Sequence, residues 1–159
     1  MQVKLNVGVV LLLLFSIISF FSFAQPSNNN YASAVDISSL IVPNTTTCSA
    51  NAIYTTVGAT ADQAKGSCWQ NGPNKNVWFK FTATSTSAIT VQVNVGGVYG
   101  TLQNPFVAIW TSGLSQVACQ NYVSGGGSIQ TSAYGLTNGA TYYISVDGYS
   151  GYSGTFHFA

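Results

Sequence analysis

Few side chains in this chain could do chemistry. Its 159 residues include three aspartates, no glutamate, a single histidine and three cysteines. A glycosidase needs two carboxyl groups at a defined separation, but Asp36, Asp62 and Asp147 are scattered along the sequence. His157 is not accompanied by a Gly-x-Ser-x-Gly motif, which marks the nucleophile of many hydrolases. The residue types therefore predict a protein that is not an enzyme.

Metal binding has little support in the sequence. No cluster of cysteine and histidine has the spacing of a zinc site. Calcium takes several oxygen ligands, and Asp62 or Asp147 could each supply one. Isolated aspartates beside glycine, as in Asp147-Gly148, are more often turn formers. We expect no resident cofactor, with calcium as an open alternative.

The charge of the chain excludes several classes of partner. After residue 24, Lys65, Lys75 and Lys80 are balanced by the same number of aspartates, so the formal net charge is zero. A nucleic-acid-binding protein needs a basic patch that displaces counterions from phosphates. This chain has no residues to build one. An acidic partner or an anionic membrane surface is excluded for the same reason.

The N-terminus is typical of an exported protein. Lys4 precedes an apolar run over residues 7–23, and the small residues Ser22 and Ala24 come directly before Gln25. This arrangement predicts a signal peptide over residues 1–24. The alternative is an uncleaved anchor, since a spanning helix needs about 20 apolar residues. We expect a secreted or cell-surface protein without membrane contact after cleavage.

Export also bears on the cysteines, because secreted proteins meet an oxidising environment. Cys48, Cys68 and Cys119 allow one bridge and leave one thiol. A bridge between Cys48 and Cys68 would close a loop of about twenty residues, which the chain-entropy model values at about 3 kcal/mol. Cys119 shares a predicted strand face with Val117, which favours packing as a small buried hydrophobe. The residues alone leave the pairing open.

The element around which the chain is arranged is residues 76–82. Val77, Phe79 and Phe81 lie on one side of an alternating pattern, which predicts a strand with a buried face. Trp78 lies on the opposite side of the same strand. We therefore expect that second face to be covered as well, by the N-terminal segment.

Similar patterns predict further strands with turns about every eight to twelve residues. Asn138-Gly139 is the strongest hairpin signal, and residues 61–65 could form one helical turn before Gly66. The pattern predicts an all-β domain over residues 35–159, an antiparallel sandwich or jelly roll of about eight or nine strands, after a polar lead-in at 25–34. The other predicted strands are residues 35–40, 53–57, 89–95, 106–110, 116–121, 129–131, 142–146 and 156–158, the last with His157 facing outward.

Aromatic side chains in loops are the candidates for ligand binding. Trp69 lies in the loop 68–74, and Tyr149 and Tyr152 lie in a glycine-rich loop near the C-terminus. Aromatic rings stack on the apolar faces of sugars, and asparagine or glutamine side chains hydrogen-bond to hydroxyl groups. The alternative, which we favour, is that these rings cap the ends of the sandwich.

The segments of the chain follow a recognisable order. An asparagine-rich opening is followed by residues 32–35, 76–83, 105–110, 117–121, 135–146 and 154–156. This order resembles the β-sandwich modules of secreted Bacteroidetes proteins, which are similar in turn to bacterial pre-peptidase C-terminal domains. The resemblance covers most of residues 28–158 and implies a sandwich fold at the cell surface.

Departures from the family pattern concern the cysteines. The family often has a cysteine after the opening asparagines and another in the last strand, where this chain has Tyr31 and residues 157–158. A further cysteine of the family is missing at residues 111–114. The resemblance therefore implies that Cys48–Cys68 is the remaining bridge. Modules of this kind usually sit in long surface proteins, so we expect either a stand-alone module or a fragment.

These observations predict a secreted, non-catalytic β-sandwich module for adhesion, matrix contact or attachment within a surface protein. Its partner would be a polysaccharide or an extracellular-matrix or cell-surface protein. An alternative is a carbohydrate-binding module that uses Trp69, Tyr149 and Tyr152. A further alternative is a self-assembling fibre subunit in which a free edge strand pairs with another copy.

Overall fold

The structure is a computed structural model that describes residues 24–84 and 88–159. The predicted signal peptide falls outside these residues, apart from Ala24. The described chain forms nine strands, four short 3-10 turns and no α-helix, which confirms the predicted all-β sandwich. In this part of the chain no helix is long and apolar enough to span a membrane. The strands are β1 (Val35–Asp36), β2 (Tyr54–Thr55), β3 (Val77–Thr82), β4 (Ala88–Asn94), β5 (Pro105–Thr111), β6 (Gln116–Gln120), β7 (Ile129–Tyr134), β8 (Thr141–Gly148) and β9 (Thr155–Phe158).

The strands form two sheets. Sheet A has the order β1-β3-β8-β5-β6, and sheet B has the order β2-β9-β4-β7. β1 runs parallel to β3, and every other pair is antiparallel. Among the described strands, β5 and β6 are the only consecutive ones that pair with each other. The chain therefore crosses between the sheets at almost every connection, as in Greek-key sandwiches.

The main core lies between the two sheets and includes the predicted face of β3. Val77, Phe79 and Phe81 are all buried there, as the alternation predicts. The ring of Phe79 contacts the rings of Phe156 and Phe158 at centroid distances of 6.0 and 4.8 Å, which links the sheets. Burying one such side chain contributes about 1.5–3 kcal/mol.

A second core lies on the opposite face of sheet A. Trp78, Phe106 and Trp110 are buried there beneath irregular segments of the chain. Asn28 covers Trp78 from the N-terminal side. The backbone N–H of Trp78 donates to the backbone carbonyl of Asn28 at 2.9 Å, and the side-chain amide of Asn28 donates to the backbone carbonyl of Trp78 at 3.0 Å. The ring of Tyr31 packs edge-on against Trp78 at 5.4 Å. This confirms the expected cover, and it shows that residues 28–34 belong to the packed domain.

Two local elements differ from the sequence-based expectation. The predicted strand over residues 35–40 stops at Asp36, because the Asp36 carboxylate accepts the Ser38 N–H at 2.9 Å and the chain turns into the 3-10 segment Ser38–Leu40. Residues 61–65 form no helical turn. Instead, the carboxylate of Asp62 accepts the Tyr31 N–H at 2.6 Å.

The expected hairpin at Asn138-Gly139 is also absent. The turn itself forms, and the Gly139 N–H donates to the Ala83 carbonyl at 2.8 Å. However, the strands that it joins, β7 and β8, lie in different sheets. Pairing between them is impossible because both edges of β8 are occupied by β3 and β5.

Replacing Asn28 tests the cover over the second core. Asn28→Ala removes the bond to the Trp78 carbonyl and leaves a buried acceptor without its partner, so we expect a loss of about 1–3 kcal/mol in the free energy of unfolding. Ser33→Ala is the matched control, since the Ser33 hydroxyl bonds at the surface, and it should change that energy by less than about 0.5 kcal/mol. Urea unfolding measures both, and equal midpoints for the two variants would contradict the assignment.

Candidate binding site

The three aromatic rings predicted to bind a ligand do not share a surface. Trp69 is only 2% exposed. Its ring stacks on Phe106 at 5.3 Å with an interplanar angle of 14°, and its indole N–H donates to the Val107 carbonyl at 3.3 Å. Gly66 permits this, because a Cβ there would lie 2.7 Å from the indole nitrogen. The alternative in which Trp69 is exposed to a ligand is therefore wrong, and the ring belongs to the second core.

The two tyrosines differ from each other. Tyr149 is half-buried, with its ring 4.8 Å from that of Tyr122 and 6.2 Å from that of Phe106. Tyr152 is 46% exposed. Of the three predicted rings, one therefore remains available to a ligand, while Trp69 and Tyr149 pack over the outer face of sheet A. The capping role was the better interpretation for these two.

The disulfide joins Cys68 to Cys119, and the expected Cys48–Cys68 bridge was wrong. Cys48 is exposed and free. The bridge fastens the loop before Trp69 onto β6, where the Ser67 N–H also donates to the Gln116 side chain at 2.6 Å. It therefore helps to hold the cover of the second core in place.

A β-bulge explains why Cys119 was misjudged. The pairing of β5 with β6 shifts register between Ile109 and Trp110. Val117 consequently packs in the core between the sheets, whereas Cys119 packs against the second core on the other face. A bulge adds one residue to a strand and breaks the period-two alternation. The sequence gives no signal for it.

Asp147 is a fully buried carboxylate held by backbone donors. Its Oδ2 accepts the Asn74 N–H at 2.7 Å, and its Oδ1 accepts the N–H groups of Lys75 at 3.1 Å and Gly148 at 2.7 Å. Burial raises the pKa of the carboxyl group above its usual value, and these three bonds act in the opposite direction. The arrangement anchors the loop over residues 71–75 to β8.

These contacts bear on calcium. The oxygens of Asp147 already face N–H groups, and Asp62 is bound to the Tyr31 N–H and to the side chain of Gln63. Over residues 24–84 and 88–159, no group of three or more histidine, cysteine, aspartate or glutamate side chains could hold a metal ion. The geometry gives both aspartates a role in holding loops.

His157 faces away from the main core, as expected, but it is not solvated. It is 4% exposed, because the ring of Tyr99 packs edge-on against it at 4.9 Å. Its Nε2 lies 3.1 Å from the Asn94 side-chain nitrogen, and its buried Nδ1 has no hydrogen-bond partner among the described residues. Its described neighbours thus include an amide and a phenol ring rather than a carboxylate.

The candidate binding site is a groove on the outer face of sheet B that the sequence did not indicate. It has a volume of about 430 Å³ and lies between β4 and the segment 40–47. Polar contacts order its floor: the hydroxyls of Thr90 and Ser132 are 2.8 Å apart, and the Gln92 amide donates to Asn94 at 2.8 Å. The lining residues are Leu40, Ile41, Val42, Asn44, Thr45, Thr46, Thr47, Ala88, Ile89, Thr90, Gln92, Gln130 and Ala159.

The groove offers hydroxyl and amide groups beside an apolar wall. Among the described residues that line it, none carries a charge. The outward positions of β4, Thr90 and Gln92, were visible in the alternation of the sequence. What was missed is that the segment 40–47 folds alongside them, because this contact joins residues about fifty positions apart.

The disulfide assignment can be tested by peptide mapping and unfolding. We expect a non-reduced digest to contain Cys68 linked to Cys119, whereas a Cys48–Cys68 peptide would contradict the structure. Replacing both bridged cysteines by serine should lower the free energy of unfolding by up to about 4 kcal/mol, given the loop that the bridge closes. Cys48→Ser is the control and should leave it unchanged.

The raised pKa of Asp147 predicts that the free energy of unfolding depends on pH. Because burial raises the folded-state pKa above the unfolded-state value, the folded chain binds a proton more readily between these two values. The contribution of Asp147 to the free energy of unfolding therefore falls as the pH rises through that interval. Asp147→Asn should remove this fall, and urea midpoints between about pH 3 and about pH 7 measure it.

Asp36 supplies the matched control for this experiment. Hydrogen bonds from Ser38 lower the pKa of Asp36, so its contribution has the opposite sign and is lost as the pH decreases. Asp36→Asn should therefore keep the fall in stability with rising pH. The assignment to Asp147 is wrong if Asp147→Asn and the unmodified protein show the same pH profile.

Comparison with known proteins adds no family to this description. No protein-family model, curated protein or solved structure matches the chain.

Proposed function

We propose that this domain is a secreted, non-catalytic binding module that attaches to neutral glycans. Adhesion or surface attachment would follow from this binding. The observation that carries the proposal is the groove of about 430 Å³ on the outer face of sheet B, lined by threonine, asparagine and glutamine side chains. Its volume falls in the range of about 300–1,000 Å³ that is typical of small-ligand sites.

The chemistry of the groove suits sugars better than other ligands. Hydroxyl and amide side chains both donate and accept hydrogen bonds, which matches the hydroxyl groups of a sugar ring. Val42, which is 46% exposed, provides apolar surface for the C–H face of such a ring. A charged glycan would find no counter-charge along the lining residues. The expected ligand class is therefore an uncharged polysaccharide.

The expected export and the expected lack of catalysis agree with this proposal. The sequence predicts a signal peptide, and the Cys68–Cys119 disulfide suits an oxidising compartment. Asp147 and Asp62, the aspartates discussed for calcium, are engaged in anchoring loops. We therefore expect binding without turnover and without a requirement for calcium.

The test uses residues 25–159 on a panel of immobilised neutral and acidic polysaccharides and matrix proteins, with and without a calcium chelator. Gln92 and Gln130 are cross-strand partners on the floor of the groove. We expect binding to a neutral polysaccharide, and about tenfold weaker binding when both are replaced by alanine, since two hydrogen bonds are lost.

Tyr152→Ala is the control for this experiment because Tyr152 is exposed but lies outside the groove. It should bind as well as the unmodified protein. Loss of binding in Tyr152→Ala alone would move the site to the loops that carry the tyrosines. A protein ligand, or no binding to any glycan, would overturn the proposal.

A further inference from the structure

Two sheets have four edge strands, and three of them are either very short or lie against another segment of the chain. β1 and β2 are two residues long, which leaves little backbone for another chain to pair with. β6 carries the Cys68–Cys119 disulfide, and the loop before Trp69 lies against it, with the Ser67 N–H donating to the Gln116 side chain at 2.6 Å. The fourth edge is β7.

β7 has none of the usual protection. Its six residues, Ile129–Tyr134, contain no charged side chain and no proline, which are the features that blunt edge strands in other proteins. β6 lies next to β7 at the same side of the sandwich but belongs to the other sheet. Within the described ranges, β7 pairs with β4 on one side and with no strand on the other.

The register identifies the backbone groups that point outward. Gln92 exchanges both of its backbone hydrogen bonds with Ala159, so it faces β9. In an antiparallel ladder the neighbouring residues of β4 must then face β7, where Val91 pairs with Thr131. It follows that the backbone N–H and C=O groups of Gln130, Ser132 and Tyr134 point away from β4.

We propose that β7 pairs with β7 of a second copy, antiparallel, about a two-fold axis at Ser132. In this register Gln130 of each copy faces Tyr134 of the other, and all outward backbone groups find partners. Tyr134 is 75% exposed, the largest value among the large hydrophobic side chains of residues 24–84 and 88–159. The pairing would place its ring beside the stem of the facing Gln130 and reduce that exposure.

A second copy fits this edge because the edge is self-complementary. The strand has no charges that would face like charges across the axis. The predicted mature chain also has zero formal net charge, so the two copies do not repel each other. An isologous contact of this kind closes at two subunits. It therefore predicts a dimer with one continuous sheet, rather than a fibre.

The dimer would carry two grooves on the same side. The two-fold axis of an antiparallel strand pair is perpendicular to the sheet, so both outer faces of sheet B point in the same direction. If the groove binds glycans as proposed above, a dimer would hold two sites for one polymer and bind it with avidity. The pairing itself does not depend on that function. A single strand pair buries less than a standard interface of about 1,600 Å², so the association should be weak.

Sedimentation of residues 25–159 from about 10 µM to about 1 mM tests the pairing in the range of a weak interaction. We expect the average mass to rise towards that of two chains. Ser132→Lys would place two charges beside the axis and should abolish the rise. Thr137→Lys adds the same charge in an exposed turn outside the strand and should behave like the unmodified protein.

Amide hydrogen exchange locates the contact in the unmodified protein, which keeps the test independent of how well Ser132→Lys folds. The amides of Gln130, Ser132 and Tyr134 should exchange quickly in dilute solution and more slowly at high concentration. Those of Thr131 and Ala133 should be protected throughout by β4. Such a result supports the proposal whether or not glycans bind.

Four results would overturn the pairing. They are a monomer at every concentration, a dimer in which other amides become protected, a mass that grows beyond two chains, and a dimer that persists in Ser132→Lys. Loss of glycan binding with an intact dimer would refute only the proposed function. Retained glycan binding by a strict monomer would refute only the pairing.

Discussion

Sheet A is buried on both faces, and most of the irregular structure in this domain exists to make that possible. Trp78, Phe106 and Trp110 stand on the face that turns away from sheet B. Leaving such rings in water would forfeit about 1.5–3 kcal/mol each. No third sheet is available to cover them, so the described loops do so. The sandwich therefore has a further layer made of loops.

A layer of loops must satisfy its own backbone, because a buried N–H or C=O group without a partner is costly. The chain solves this with neutral or singly charged side chains that bind backbone groups. Asn28 accepts the backbone N–H of Trp78 and donates to its carbonyl, as a neighbouring strand residue would. Asn76 accepts the Asp62 N–H at 2.9 Å and donates to the Asp62 carbonyl at 2.9 Å. Asp147 binds the loop over residues 71–75. Asp62 and Asp147, which the sequence offered as possible calcium ligands, are thus part of the scaffold.

Because loops cover the outer face of sheet A, the candidate binding site lies on sheet B. The outer positions of β4 and β7 carry threonine, glutamine, asparagine and serine side chains, ordered by hydrogen bonds to one another. Side chains of this kind can hydrogen-bond to hydroxyl groups without any charge, and the chain has a very low charge content. The same strands leave one edge unpaired at β7. Binding and self-association would then use adjacent parts of one sheet.

The sequence by itself determined the class of fold and the strands with strong alternation. Val77, Phe79 and Phe81, and the alternating valines of β4, lie where the period of two placed them, because a strand with one apolar face has a single favourable register. Trp78 likewise required a cover on the opposite face. These features depend on residues that are close together in the sequence, so the local pattern was sufficient to predict them.

Tertiary structure alone decided the features that depend on residues far apart in the chain. The Cys68–Cys119 bridge joins two residues that are 51 positions apart in the chain. Trp69 is buried because its loop folds back onto Phe106. The turn at Asn138-Gly139 joins two sheets, since β8 already has two neighbours. The groove exists because the segment 40–47 lies beside β4. In each case the cause is a contact between distant segments, and the local sequence pattern is the same whether or not that contact forms.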